Sequence, residues 1–243
     1  MKRALNLARK GQGFVHPNPL VGAVLVKNNK IIGEGAHERF GGPHAEVNAI
    51  RRAAQSPAGA TLYITLEPCA HTGKTPPCTD LILKSNIKRV VVGAKDPHPL
   101  VSGKGLRILR NKGVRVETGV LEKEAAAMNR DFNYWVRRKV PYVIAKVAQS
   151  LDGKIATKRG QSQWITGEEA RRYGHGLRAA SDAILVGVNT ILRDDPRLSV
   201  RLGKGRGAIN RAPTKVILDS RLRTPLRARI FSKDSPPYIF IAP

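Results

Sequence analysis

The chain has 243 residues, 41% of them hydrophobic and 25% charged, a balance typical of folded globular domains rather than of disordered segments. Apolar runs all fall short of the roughly 18 residues that a membrane-spanning helix needs. The segment Met1–Lys10 carries charges where a signal peptide needs an apolar stretch, so we expect a cytoplasmic protein.

The formal net charge of +25 suggests nucleic acid as a partner. The positive charge is spread along the chain, however: 24 Lys and Arg stand against 10 Asp and Glu in residues 1–140, and 19 against 8 in residues 141–243. Aromatic side chains, on which single-stranded bases stack, make up only 5%. We therefore expect no specific nucleic-acid partner and no membrane partner. The basic surface suits phosphorylated substrates, or it reflects a general bias in the amino-acid composition of proteins from the source organism.

Short apolar runs of strand length alternate with segments of helical period along residues 1–140. Strands are predicted at 20–26, 31–35, 61–66, 89–94 and 114–118, and helices at 5–10, 44–55, 78–83, 106–111 and 121–135. This alternation predicts a sheet covered by helices, an α/β sandwich.

A charge run that ends in a proline, Arg137–Pro141, indicates a domain boundary, which we place between residues 140 and 141. The alternation then restarts. Strands are predicted at 141–149, 183–188, 214–218 and 238–242, with a helix that Thr166 caps and that runs through Ala180. The glycine-rich run Gly203–Gly207 opens no helix, so a surface loop is the better interpretation than a phosphate-binding loop.

One group of residues in the sequence has the composition of a catalytic metal site. The two cysteines of the chain, Cys69 and Cys78, follow His44, and Glu46 lies two residues after that histidine. One His and two Cys can hold Zn²⁺ at three corners of a tetrahedron and leave the fourth for water, as in catalytic zinc sites. An HxE…PC pattern of this kind is typical of zinc nucleobase deaminases, although eight residues separate the cysteines here. The competing interpretation is a pair of inert buried cysteines beside a structural histidine.

Six short motifs together resemble one family. They are His16–Pro19, Pro43–Val47, Thr65–Cys78, Ser150–Gly153, Ser162–Thr166 and Asp194–Arg201. In this order they resemble the bifunctional riboflavin-biosynthesis deaminase–reductase family (RibD), in which the eight-residue cysteine gap is normal. The resemblance implies a cytidine-deaminase-like α/β/α sandwich over residues 1–140. It also implies an incomplete dihydrofolate-reductase-like α/β domain over residues 141–243.

The resemblance also implies roles for individual residues. Zinc ligands are expected at His44, Cys69 and Cys78, and the proton shuttle at Glu46. Deaminase substrate contacts are expected at Asn18, His37, His71, Lys74 and Asp96. In the second domain, NADPH contacts are expected at Ala148, Trp164, Thr190, Asp194 and Ser220. Sugar-phosphate contacts are expected at Lys146, Ser162, Arg178, Leu198 and Arg201.

The implied reactions belong to riboflavin biosynthesis. The first is zinc-dependent hydrolytic deamination of 2,5-diamino-6-(5-phosphoribosylamino)pyrimidin-4-one. The second is NADPH-dependent reduction of the ribosyl group of 5-amino-6-(5-phosphoribosylamino)uracil. We also expect the protein to form a homo-oligomer.

Two features depart from the family pattern. His98 stands where family members often have Asn, and the chain ends at Pro243, whereas family members continue into a glycine-rich segment that holds the cofactor pyrophosphate. We therefore expect a reductase half that is incomplete or inactive in this form.

Two other functions remain open. A nucleic-acid-editing deaminase of the tRNA adenosine type would share the zinc site and suit the charge. The cysteine spacing and a second α/β domain disfavour it. In a non-catalytic module, zinc would only hold the fold together, and Glu46 argues against that because structural sites close their fourth position with protein.

Overall fold

The computed structural model describes residues 1–72, 76–99, 101–201, 212–231 and 237–241. The chain divides into two compact units, Met1–Val143 and Ile144–Pro243. Two sequence predictions, the substrate contact at Lys74 and the loop at Gly203–Gly207, lie outside the described residues. Within these ranges, every helix is too short or too polar to cross a membrane.

A five-stranded sheet forms the centre of the first unit. Its strands are β1 (Gly22–Lys27), β2 (Lys30–Ala36), β3 (Thr61–Leu66), β4 (Arg89–Ala94) and β5 (Arg115–Thr118), in the order β2-β1-β3-β4-β5. Strands β1 and β2 form an antiparallel hairpin, β1 is also antiparallel to β3, and β3, β4 and β5 run parallel. The parallel strands end at the same edge of the sheet, so the loops that follow β3 and β4 lie side by side.

Helices cover both faces of this sheet. They are α1 (Lys2–Ala8), α2 (Ala45–Arg51), α3 (Cys78–Lys84), α4 (Lys104–Asn111), α5 (Glu122–Met128) and α6 (Arg130–Arg138). Ala49 of α2, Ile82 of α3 and Leu109 of α4 belong to the largest buried cluster, together with side chains of β1, β3 and β4. Helices α1 and α5 contribute Leu5 and Ala125 to a different cluster. The unit is thus the helix-covered sheet that the alternation predicted, in the α/β/α arrangement that the family resemblance implied.

The single helix predicted at 121–135 is wrong: the structure has two helices, α5 and α6, that break at Asn129. Asn129 has φ −113° and ψ 30°, outside the helical range, and its side chain bonds to a distant residue instead of its own helix. The apolar period continues through the break, which is why the sequence pattern does not reveal it.

The second unit contains a parallel three-stranded sheet. Its strands are β6 (Ala183–Gly187), β7 (Thr214–Leu218) and β8 (Pro237–Phe240), in that spatial order, and its helices are α7 (Glu168–Ala180) and α8 (Val188–Asp194). One face of the sheet packs through Ile217 against Ile191 of α8 and against Ile230. The opposite face carries apolar side chains that are at least half exposed, namely Leu185 (59%), Leu218 (50%), Tyr238 (63%) and Phe240 (56%).

Two predictions for this part of the chain are wrong. Residues 141–149 form no strand: they lie outside every helix and strand, and Val143 and Val147 are 81% and 64% exposed. A strand needs a neighbour for its backbone groups, and the sheet β6-β7-β8 does not include this segment. Thr166 is not the helix cap either, because Gly167 takes that position.

Candidate active site

Three side chains, two from helix N-termini and one from the loop after β3, converge at the carboxyl end of β3. His44 lies at the N-terminus of α2, Cys69 follows β3, and Cys78 is the first residue of α3. Nδ1 of His44 lies 3.2 Å from Sγ of Cys78 and 3.6 Å from Sγ of Cys69. The three ligand atoms all lie within 4.8 Å of one another. The structure therefore assembles the cluster that the sequence spacing predicted.

The electrostatics of the cluster are those of a site built for a cation. Hydrogen bonds from the thiol and the backbone N–H of Cys78 and from His44 lower the pKa of Cys69 to about 4. The pKa of Cys78 is raised, because its thiol donates to Cys69 and because it is buried. The hydrogen bond to Cys69 raises the pKa of His44. The protons that these groups share are the ones that a metal ion displaces when it binds.

The donor set fits zinc. One imidazole nitrogen and two sulfurs are the ligands that Zn²⁺ prefers, and three protein ligands are the number found in catalytic rather than structural sites. Among the described residues, no fourth His, Cys, Asp or Glu joins the group.

Glu46 lies in the first turn of α2, beside the cluster, and is only 3% exposed. Burial raises the pKa of its carboxyl group to about 7, against the opposing effect of His44. A carboxyl group with a pKa near neutrality can both accept and donate a proton at physiological pH, which is what a general acid–base needs.

Two of the expected substrate contacts, Asn18 and His37, form a pair next to the ligands. Nδ1 of His37 lies 3.0 Å from the Pro43 carbonyl oxygen, and Nε2 lies 3.1 Å from Nδ2 of Asn18. The His37 ring meets the ring of His44 edge to face, with centroids 5.5 Å apart. Burial lowers the pKa of His37, so the imidazole is neutral at pH 7.

His71 and Asp96, the other two expected contacts in the described residues, lie in the loops that follow β3 and β4. His71 is exposed. Asp96 is 8% exposed, and its Oδ1 accepts a hydrogen bond of 2.8 Å from the backbone N–H of His98. Burial raises the pKa of Asp96 above its ordinary value.

The residues expected to bind NADPH and the sugar phosphate in the second unit lie farther apart than the expected zinc ligands. Arg178 of α7 donates to the Ser199 carbonyl oxygen at 2.7 Å, and the backbone N–H of Arg201 donates to Nδ1 of His175 at 3.2 Å. Both arginines are thereby held near the same turn of α7. Lys146 and Ala148 line a hollow beside α7 together with Tyr173.

The other expected residues occupy different places. Trp164 is 68% exposed, with the Arg171 guanidinium 4.5 Å from its ring centroid. Thr190 and Asp194 lie on α8, and Ser220 lies in the exposed turn after β7. Ser162 is partly buried in the loop before α7, whereas Leu198 is 7% exposed and belongs to the core.

Comparison with known proteins gives matches over both units. The model of the cytidine and deoxycytidylate deaminase zinc-binding region matches residues 1–94, and the model of the RibD C-terminal domain matches residues 141–243. The riboflavin biosynthesis protein RibD of Aquifex aeolicus is 52% identical over 241 residues, which are 99% of this chain and 67% of that protein. The chain belongs to the RibD family.

Further RibD proteins give the same result. The Bacillus amyloliquefaciens protein is 47% identical over all of this chain and 64% of its own length. A solved Thermotoga maritima structure, described as a diaminohydroxyphosphoribosylaminopyrimidine deaminase/5-amino-6-(5-phosphoribosylamino)uracil reductase, has a TM-score of 0.92 at 48% identity. It matches 99% of this chain and 68% of its own. The chain thus spans about two thirds of the length of these RibD relatives.

These matches confirm the expected fold class, a cytidine-deaminase-like domain followed by part of a RibD reductase domain. The three expected zinc ligands lie within residues 1–94, the part of the chain that matches the zinc-binding region.

Sequence reasoning gave no role to Glu67, which helps to build the site. Glu67 is 4% exposed, and its carboxylate accepts hydrogen bonds from the backbone N–H groups of Gly103 (2.9 Å) and Leu106 (3.5 Å) at the N-terminus of α4. Glu67 stands two residues before Cys69, so it ties the ligand loop to α4. Its place in the Glu67–Pro68–Cys69 motif gave a signal, but the motif does not say what the carboxylate binds.

Proposed function

We propose that the first unit deaminates 2,5-diamino-6-(5-phosphoribosylamino)pyrimidin-4-one by hydrolysis, as the first of two reactions in riboflavin biosynthesis. The observation that carries the proposal is the position of Glu46. It is a buried carboxyl group with a pKa near 7, next to three ligands that leave a tetrahedral position for water. A structural zinc site has no use for such a group.

His44, Cys69 and Cys78 would hold zinc, which when bound would supply a Lewis acid that lowers the pKa of water toward about 7. Glu46 accepts a proton from the attacking water and delivers it to the ring nitrogen next to the carbon under attack. The same carboxylate then takes the remaining proton of the added hydroxyl group and passes it to the departing amine, which leaves as ammonia. Water supplies the oxygen of the new carbonyl group, and Glu46 returns to its starting state.

The pyrimidine and its phosphate are held by Asn18, His37, His71, Lys74 and Asp96 in this proposal. The partly buried Asn18–His37 pair offers fixed polar atoms to the ring, because the neutral His37 imidazole holds the Asn18 amide in one orientation. Lys74 stands between the two cysteines in the sequence, and its positive charge suits the phosphate.

The second unit is proposed to be part of the reductase, with the deaminase domain over residues 1–140 and the reductase domain over 141–243. NADPH would be held by Ala148, Trp164, Thr190, Asp194 and Ser220. The sugar phosphate would be held by Lys146, Ser162, Arg178, Leu198 and Arg201. Hydride transfer to the sugar C1 carbon would open the ribose of 5-amino-6-(5-phosphoribosylamino)uracil. We also propose a homo-oligomer, which light scattering after size exclusion tests.

Incubation of the zinc-loaded protein with the diaminopyrimidine, with and without NADPH, followed by mass analysis, tests the proposal. We expect replacement of one amino group by oxygen in both reactions. Addition of two hydrogens would appear only with NADPH, and we expect it to be weak or absent in the 243-residue form. Faster deamination of a tRNA stem-loop than of the pyrimidine would contradict the proposal and favour an editing enzyme.

A further inference from the structure

The segment His16–Leu20 carries Asn18 to the candidate site and belongs to no helix or strand. Its far end is held by a residue from a distant part of the chain. Oδ1 of Asn129 accepts the backbone N–H of Leu20 at 2.7 Å, and Nδ2 of Asn129 donates to the Leu20 carbonyl oxygen at 2.9 Å. The two residues are 109 positions apart in sequence.

The Asn129 amide therefore pairs with Leu20 in the way that a residue of a neighbouring strand would, with one bond to the N–H and one to the C=O. Both groups of one residue are engaged, which fixes the orientation of Leu20 as well as its position. The Asn129 side chain is only 2% exposed, so water does not compete freely for these bonds.

The position of Asn129 is informative as well. It immediately precedes α6, where an Asn side chain normally accepts a hydrogen bond from the first turn of its own helix. Asn129 makes no such bond. Its amide is directed instead at Leu20, and the break between α5 and α6 is what allows it to reach there.

From Leu20 the contacts lead into the site. Asn18, two residues earlier, has Nδ2 at 3.1 Å from Nε2 of His37. The Pro43 carbonyl oxygen can only accept, so Nδ1 of His37 carries the ring proton, and Nε2 must accept from Asn18. The orientation of the Asn18 amide is thus set, with Nδ2 toward His37.

We propose that Asn129 is a positioning residue for the substrate side of the deaminase site. It fixes Leu20 and, through the short segment to Asn18, the hydrogen bond that holds the His37 ring. This inference rests on the proposed function for its effect on turnover, but not for its effect on His37.

A double-mutant cycle measures the effect on turnover. We expect Asn129→Ala to raise KM for the diaminopyrimidine about tenfold, the effect of losing about one net hydrogen bond, with a smaller change in kcat. If Asn129 acts through Asn18, the double variant Asn18→Ala/Asn129→Ala has the KM of Asn18→Ala alone. Asn133→Ala is the matched control, because its amide lies close by, on α6, but bonds to the Ala126 carbonyl oxygen and not to Leu20; we expect KM to stay unchanged in this variant.

Nitrogen-15 NMR of the histidine side chains supplies a readout that needs no substrate. In the unchanged chain we expect His37 as the Nδ1-protonated tautomer, with Nε2 as an acceptor. Asn129→Ala should change the Nε2 signal in the same way as Asn18→Ala, and Asn133→Ala should leave it alone. Asn129→Asp retains an acceptor for the Leu20 N–H but loses the donor to its carbonyl oxygen. Asn129→Asp should shift the His37 Nε2 signal in the same direction as Asn129→Ala. It replaces Asn129→Ala in the test if the alanine variant does not fold.

An Nε2 signal that moves in Asn18→Ala but stays at its original position in both Asn129 variants overturns the inference. The inference also fails if the fold increase in KM of the double variant equals the product of the fold increases of the two single variants. If the unchanged chain does not deaminate the pyrimidine at all, the proposed function fails. The His37 spectra then still decide whether Asn129 holds Asn18 in place.

Discussion

Glu46 and Glu38 illustrate how the surroundings of a carboxylate set its role. Glu38 lies at the surface and pairs with Arg52 at 3.0 Å, whereas Glu46 is buried beside the ligand cluster with a pKa of about 7. An exposed ion pair of that kind contributes little to stability or chemistry. The buried carboxyl group, with a pKa raised to about 7 by burial, can gain or lose a proton near neutral pH.

Replacement of Glu46 by glutamine keeps the shape of the side chain and removes its ability to carry a proton. We expect Glu46→Gln to retain zinc and to lower deamination by at least about 10²-fold, in line with general acid–base contributions. Turnover with the diaminopyrimidine, together with metal analysis of the same sample, measures both. Glu38→Gln serves as the control and should behave like the unchanged chain.

The ligand variants should give a different pattern. Cys69→Ser and Cys78→Ser each remove a ligand and should lose both zinc and activity. His71→Ala changes an exposed histidine of the same loop and should keep the zinc. Full zinc content in both cysteine variants would contradict the assignment of the site.

At the scale of single elements, the ligand loop depends on how closely α4 approaches it. A Cβ atom on Gly105, in the first turn of α4, would overlap the Pro68 carbonyl oxygen. This close approach is what lets Glu67 reach the backbone N–H groups of Gly103 and Leu106. The glycine is needed here for space.

Gly105→Ala is therefore expected to destabilise the first unit by about 1–3 kcal/mol, the range for overpacking in a tight contact, and to weaken zinc retention. Gly176→Ala is the matched control, since Gly176 also lies in a helix, α7, but has no atom near the position of the added Cβ. There the better helix propensity of alanine should stabilise by up to about 1 kcal/mol. Denaturant unfolding measures the free energy of unfolding of each unit, with the fluorescence of Trp135 reporting on the first unit and that of Trp164 on the second. Equal effects of the two substitutions would show that α4 has room to move.

Much of the element pattern follows from the sequence, because buried strands are short apolar runs with breaking residues at both ends. Strands β3 and β4 and the start of α3 at Cys78 are predicted to the residue. Segment 141–149 has the same apolar character but forms no strand, because local pattern does not report whether a partner strand is available.

The candidate site shows the same division. The zinc ligands and Glu46 are predictable because the short motifs HxE and PC carry the residue types that a catalytic zinc site needs. Glu67 and Asn129 are not, since each acts through backbone groups of a distant segment. Backbone groups are the same in every residue, so the sequence carries no sign of which one a polar side chain will bind.

Considered as a whole, the molecule differs between its two units in how completely its sheets are covered. Helices pack on both faces of the first sheet. In the described part of the second unit, Leu185, Leu218, Tyr238 and Phe240 remain half or more exposed on one face. An apolar surface of this kind favours association and binds hydrophobic dyes.

We therefore expect the chain to bind 1-anilinonaphthalene-8-sulfonate and to self-associate through the second unit. Leu218→Ser and Phe240→Ser should reduce the fluorescence of the dye and light scattering with little loss of stability, since both side chains are exposed. Ile217→Ser, next to Leu218 but on the packed face, should instead unfold the second unit, because Ile217 is fully buried. If all three variants bound the dye equally, the exposed face of the second sheet would not be the surface that binds it.

The pairing of Asn129 with Leu20 also has a consequence for the order in which the protein is made. A ribosome releases Leu20, then all three zinc ligands and Glu46, and only much later Asn129. A nascent chain that ends before α6 contains every group needed to capture the metal but lacks the amide that holds the Asn18 segment. In the proposed deaminase, biosynthesis therefore separates two parts of the site in time: the ligands are available early, and the Asn18 segment is held only when Asn129, just before the last helix of the first unit, has emerged.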